Sequence, residues 1–380
     1  MSARSPRTVI IGGGVIGLSV AWELVERGCE VTVVDKYRCG RKASWAGAGI
    51  LTPTSMVSGN PLDRLMAWGS RLHSDWHTRL KAATGIDNGY RECGGIYVAR
   101  TAGEKATLIG QKLSWAEHEI DFEELSDIDV VNRECSLQLP SDAVAIRVPS
   151  ESQIRNPEHL RALQAACQKA KVRFLENVND WQMDVKSKEV VSIAIDDESF
   201  SFDQVFFCAG AWSQQLLAAF DVQLPLIPVR GQMLMFKLEQ SLFHEIINEG
   251  SRYIVPRDDG HVLVGSTTEE VGFDESTTAV KLAELQDFAA SIVPDLNAGN
   301  LVDSWAGLRP ASHDGFPFIG RVSNFENVFV ATGHFKSGLQ MAPSTAKIVC
   351  DLSEGKQPFM NADPFDPNRL DESRDFDVGG

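Results

Sequence analysis

The stretch Ile10-Ile11-Gly12-Gly13-Gly14-Val15-Ile16-Gly17 limits what this chain can become more than any other. Three adjacent glycines weaken both helix and strand, so they persist where the backbone must turn tightly or be approached closely. Here they follow a short β-branched and apolar run, Thr8 to Ile11, which reads as a strand. From Val15 to Arg27 the apolar residues Ile16, Val20, Leu24 and Val25 recur at helical spacing, and Gly28 is a natural stop. A second strand, Val31-Thr32-Val33-Val34, then ends at Asp35 and Lys36. Strand, glycine turn, helix and strand together begin an α/β, Rossmann-type sheet.

Within the turn, Gly12, Gly14 and Gly17 stand in G-x-G-x-x-G register. The first permits the turn, the second lets the backbone reach a pyrophosphate, and the third lets helix pack on strand. Val15 and Ile16 open the helix, whose free N–H groups suit an anion. Asp35, 23 residues after Gly12, is placed to accept from ribose hydroxyls. Two further stretches favour FAD over NAD. "ASWAGAGIL" offers bare backbone at Gly47, Ala48, Gly49 and Ile50 against a flat ring, with Ser44 within reach of a phosphate. "VFFCAGAWS" is a strand running into a turn at Ala209 and Gly210, again suited to close approach.

A net charge of −16 argues against a nucleic-acid partner, which needs a basic surface. No apolar run approaches the ~18–20 residues of a membrane span. The basic residues before the first apolar run are followed by glycines and a helix, not by a cleavage site, so they do not read as a signal peptide. Seven scattered cysteines without a C-x-x-C pair fit free thiols in a reducing, cytoplasmic setting, and no metal site is expected.

Elsewhere, Asn156-Pro157 reads as N-cap and first turn of a helix carrying Leu160, Leu163 and Cys167 on one face. "VVSIAI", "QVFFCAG" and "NVFVAT" read as strands, and residues 252–266 as a hairpin turning at "RDDG". A helix is expected from Thr278 to Val293, with Leu282, Leu285, Ala289 and Ile292 inward, and another from about Leu339 to Leu352. His73 and His77 are expected on a helix surface. The acidic, apolar-poor residues 367–380 read as a disordered tail.

Taken in order, "GGGVIG…D", "ASWAGAGIL", "VFFCAGAWS", "PVRGQM", "YIVPRDDGHVLVGSTTE", "WAGLRPASHDGFPFIG" and "GHFKSGLQMAP" resemble the D-amino acid oxidase family of flavoproteins. They are most similar to its glycine-oxidising, thiamine-pathway members. The resemblance runs from about residue 7 to about residue 370. It implies a discontinuous FAD domain (residues 1–88, 148–226 and 305–366) and a mostly antiparallel β-sheet substrate domain (89–147 and 227–304) that roofs the flavin.

The same resemblance assigns roles. Arg309, a lone arginine between Leu308 and Pro310, would grip the substrate carboxylate through its planar fork, with Tyr253 donating to the same group. Val178 would contact the cofactor. His334, Lys336, Ser337, Gly338, Leu339 and Gln340, where "GHFKSG" opens the last helix, would face the flavin's pyrimidine edge. The resemblance departs at two places: glycine-oxidising members usually carry arginine where this chain has Lys336, and one member has a histidine where it has Ser251. FAD would be non-covalent, since no cysteine follows "WAGLRP". The implied reaction is hydride transfer from a small amino acid, glycine foremost, to flavin N5. It gives an imino acid, which water hydrolyses to the 2-oxo acid and ammonia, with O₂ giving H₂O₂, in a homo-oligomer. Sarcosine or a small D-amino acid as substrate, a dehydrogenase, a tRNA-modifying flavoprotein and a non-catalytic flavoprotein stay open as alternatives.

Overall fold

The computed structural model describes residues 4–196 and 198–370, and in it the glycine stretch joins strand Arg7–Ile11 to helix Val15–Glu26. Gly12 sits at φ +107°, where a Cβ would lie 2.5 Å from the Cys208 carbonyl oxygen. A Cβ on Gly17 would overlap the Gly12 carbonyl oxygen, so the helix packs directly on the turn. Strand Arg7–Ile11 lies inside a six-stranded sheet. Its parallel neighbours are Glu30–Val34 and Gln204–Phe207, followed outward by Arg173–Leu175 and Val328–Thr332. Phe318–Arg321 closes one edge antiparallel.

Alternate residues of this sheet face opposite layers. Ile10, Val33 and Phe206 pack with helices Val15–Glu26, Pro61–Thr84, Asn156–Lys169 and Gly338–Ser353. Val9, Ile11, Val205 and Phe207 pack on the other side with Val190, Ile193 and Leu217. Burial on both faces explains why these strands are apolar throughout.

The long helix Pro61–Thr84 starts at Asn60, whose side chain accepts from Leu62 N at 2.9 Å, and stops at Gly85 in the left-handed region. It lies so close to the last helix that a Cβ on Gly69 would overlap the Gln340 carbonyl oxygen. His73 is on this buried stripe with Leu65, Gly69, Trp76 and Leu80. It is therefore not a surface residue: it is fully buried and donates through Nε2 to Leu339 O at 2.8 Å. Only His77 stays partly open, bonded to Asn88.

An eight-stranded sheet forms the second layer system, antiparallel except where Ile246–Glu249 runs parallel to Gly95–Ala99. Its back face, including Ile96, Leu234, Phe236, Ile254 and Val264, packs on helix Ala279–Ile292. There Leu285, Ala289 and Ile292 are buried as expected, but Phe288 is buried where Leu282 is only partly so. Pairing places Trp305, Met233, Gly265, Tyr253, Asn248 and Tyr97 in one row across the front face.

Other sequence readings shift. The limits drawn at 227 and 305 fall within strands Leu226–Lys237 and Leu301–Ser312, which pair along their length. These long strands carry the chain from one layer system to the other without a break. Asn156 is not an N-cap: Arg155 takes that position, and the Asn156 amide donates to Ser44 O at 2.7 Å. The disordered reading fails for residues 367–370, because Pro367 is buried and Arg369 donates to both carboxylate oxygens of Asp314 (2.7 and 2.9 Å). Residues 371–380, the rest of that stretch, lie outside the described residues. Helix Ala102–Glu117, not anticipated, carries a full capping box between Thr101 and Glu104, a T-x-x-E pattern visible in the sequence.

Candidate active site

A cavity of about 900 Å³ is bounded by the glycine turn, the start of the last helix and the front face of the eight-stranded sheet. That is at the upper end of the ~300–1,000 Å³ range for ligand pockets. Every residue assigned above to cofactor or substrate lines it except Gly17, which is consumed in packing helix on turn.

At the glycine turn, Asp35 accepts from Gly13 N at 2.6 Å and Tyr37 N at 2.7 Å. Burial pushes its pKa up against these bonds. Each carboxylate oxygen keeps a lone pair for a ribose hydroxyl. Ser44 Oγ accepts from Val15 N at 2.9 Å, so its hydroxyl is tied to the helix end as well as turned to the cavity. The N–H groups of Ile16 and Gly17 belong to a first helical turn that no side chain of the N-cap satisfies.

A second helix end meets the same cavity. Helix Gly338–Ser353 starts at Ser337 without a side-chain cap, leaving the first-turn N–H groups of Gly338 and Leu339 free of intrahelical partners. Gln340 contributes structurally: its amide bonds Thr52 O and Ser70 Oγ, both at 2.9 Å. His334 is buried against Thr345 Oγ1 at 3.0 Å, and burial pushes its pKa down to about 3, so it is a neutral part of the wall. Two positive helix ends, a carboxylate with lone pairs to spare and bare backbone at Gly47–Gly49 fit FAD: one end for the pyrophosphate, the other for an electron-rich ring edge.

Arg309 enters from strand Leu301–Ser312. Gly231, beside it on the paired strand, has no side chain where a Cβ would overlap the guanidinium. Two N–H groups are held by neutral oxygens, Thr267 O at 3.1 Å and Ser266 Oγ at 2.8 Å. The acids of the adjoining loop, Glu269 and Asp274, are taken by Arg230 instead. Among the described residues no carboxylate pairs with Arg309. Its remaining donors and its whole charge are left for a ligand. Tyr253 Oη lies 3.4 Å from Met233 Sδ, the soft contact of a phenol whose proton is free to move to a better acceptor. Lys336 also lines the cavity, and burial together with the Arg309 charge pushes its pKa down.

Sequence reading missed Asn156, which fastens the Ser44 backbone, and Asn248 and Tyr97 on the cavity wall. A polar residue in an apolar strand was the only available signal for Asn248.

Comparison with known proteins agrees with this geometry. Residues 7–352 match the family described as FAD dependent oxidoreductase. Glycine oxidase of Pseudomonas aeruginosa is 34% identical over 367 residues, covering 96% of this chain and 99% of that protein. That of Pseudomonas putida is 33% identical, covering 96% and 98%. The crystal structure of glycine oxidase from Geobacillus kaustophilus superimposes with a TM-score of 0.88 at 30% identity, covering 96% of this chain and 99% of that one.

Proposed function

Because the chain belongs to the family of FAD-dependent oxidoreductases, we propose that it oxidises small amino acids, glycine among them, to imino acids with O₂ as electron acceptor. The observation that carries this reading is the Arg309 guanidinium, facing the cavity with no acid to neutralise it among the described residues. An α-carboxylate matches its planar fork, which fixes orientation as well as distance. Tyr253 offers a second donor to that carboxylate, and Lys336 a second positive charge on the same wall.

FAD, when bound, supplies the two-electron acceptor for the Cα hydrogen. The protein's part is to hold and orient. Gly12, Gly14 and the Val15 helix end receive the pyrophosphate, Asp35 the ribose, and Gly338 with Leu339 the ring edge. No side chain need act as base at Cα, because the lone pair of a neutral amine drives hydride departure. The histidines fit this view: His334 on the cavity wall and His73, bonded to Leu339 O, are held neutral by burial, with pKa values pushed down to about 3 and about 4.

The test is anaerobic mixing of the purified yellow protein with glycine, sarcosine, D-alanine and D-proline, followed by air. Bleaching by glycine, then recovery with H₂O₂, is expected. Bleaching that air does not reverse would make the chain a dehydrogenase, and no bleaching by any of the four would sink the amino-acid reading.

A further inference from the structure

The cavity wall continues beyond Tyr253. Asn248 pairs with Tyr253 on one side and with Tyr97 on the other, and all three line the cavity. Behind them lies Glu151, with 0% of its surface exposed. Its Oε2 accepts from Asn248 Nδ2 at 2.9 Å and its Oε1 from Tyr97 Oη at 3.2 Å. No cation pairs with this carboxyl among the described residues. Gly95 makes room for it, since a Cβ there would overlap Oε2.

A buried carboxyl served by two neutral donors is costly, and an apolar side chain would fill the space at less expense. What the carboxyl does provide is orientation. By taking the Asn248 N–H, it turns the amide oxygen away from itself, and among the described residues nothing donates to Asn248 Oδ1. The Tyr97 phenol is held by the same carboxyl, and whichever of the two carries the shared proton, the phenol oxygen keeps a lone pair. The wall therefore presents hydrogen-bond acceptors. Arg252, the neighbouring cation, is already paired with Glu249 at 2.8 Å.

Position decides what these acceptors serve. The Arg309 guanidinium is bonded to Ser266 and Thr267, at the end of strand His261–Gly265. Asn248 is two strands further along the sheet, about 10 Å at ordinary strand spacing. Glycine gripped at its carboxylate cannot bridge that gap.

We propose that Asn248 Oδ1 and Tyr97 Oη, oriented by Glu151, form a second subsite that receives an amino-terminated substituent of the substrate, so that the preferred amino acid is larger than glycine. This rests on the amino-acid oxidation proposed above. Arg309 holds the carboxylate at one end, and the acceptor pair holds the distal amine at the other.

The test compares isosteric pairs with the holoenzyme: N-aminoethylglycine against N-propylglycine, and D-ornithine against D-norleucine. The amino-terminated member of at least one pair is expected to have a kcat/KM about tenfold or more above its apolar partner. Asn248→Leu should bring that ratio to about one, and Glu151→Gln should lower it. A merely structural effect of either substitution would slow both members together and leave the ratio intact, which would overturn the assignment. If glycine bleaches the flavin but neither wild-type pair shows a ratio above one, the subsite is wrong and the amino-acid reading stands. Should no amino acid bleach it, both fall.

Discussion

At Arg309 a single missing side chain on the neighbouring strand decides whether the guanidinium can function. Gly231 lies on the paired strand Leu226–Lys237, two residues past Val229, the register partner of Arg309, and a Cβ there would overlap Nη1, Nη2 and Cζ. Gly231→Ala should therefore displace the fork without removing its charge. A KM for glycine raised about tenfold, with kcat and the flavin spectrum far less changed, is the expected outcome in steady-state assays. Arg309→Gln, which removes the charge, should cost about 100-fold or more in kcat/KM. Unchanged kinetics in Gly231→Ala, or an altered flavin spectrum with both kcat and KM disturbed, would mean that Gly231 serves the sheet rather than the arginine.

Between elements, the long helix Pro61–Thr84 comes into backbone contact with the last helix Gly338–Ser353. Gly69 gives the contact its depth, and the last helix carries both the His73 contact and the Gly338–Leu339 end at the cavity. Gly69→Ala should push the two helices apart at a cost of about 1–3 kcal/mol. Denaturant melts would read the loss, and titration of the apoprotein with FAD should show weaker binding as the last helix shifts. Unchanged FAD affinity in a destabilised variant would disconnect this packing from the site.

For the whole molecule, buried titratable groups set opposite slopes of stability against pH. Burial holds His73, His159 and His334 neutral, with pKa values pushed down to about 4 for His73 and about 3 for His334. The unfolded chain binds protons at these sites from 6.5 downward while the folded one does not, so stability falls as pH drops below 6.5. Glu151 acts in reverse. Burial pushes its pKa from 4.5 up to about 8, so its contribution is full below 4.5 and is lost as pH rises through 8. Three histidines outweigh the carboxyl on the acid side, and between 6.5 and 8 the slope is that of Glu151. Thermal melts should give a maximum near pH 6.5. Glu151→Gln should flatten the decline above it, and an unchanged decline would place its origin elsewhere.

The amino-terminal strand, turn, helix and second strand, the hairpin 252–266 and the last helix were legible in the sequence, because each rests on local periodicity and on glycines at fixed offsets. So were the cavity-lining residues of the G-x-G-x-x-G turn and of the "GHFKSG" segment, because each set is a few consecutive residues around one turn. His73 was misread because a polar residue on a helix gives no sign of which helix will cover it. Asn248 and Tyr97 went unseen because the carboxyl that orients them is 97 and 54 residues away. Sequence alone determined where the backbone turns and where N–H groups are left free, which are properties of a few consecutive residues. Only the tertiary structure decided which charges go unpaired and which polar groups are buried together, because pairing and desolvation depend on neighbours brought from distant strands.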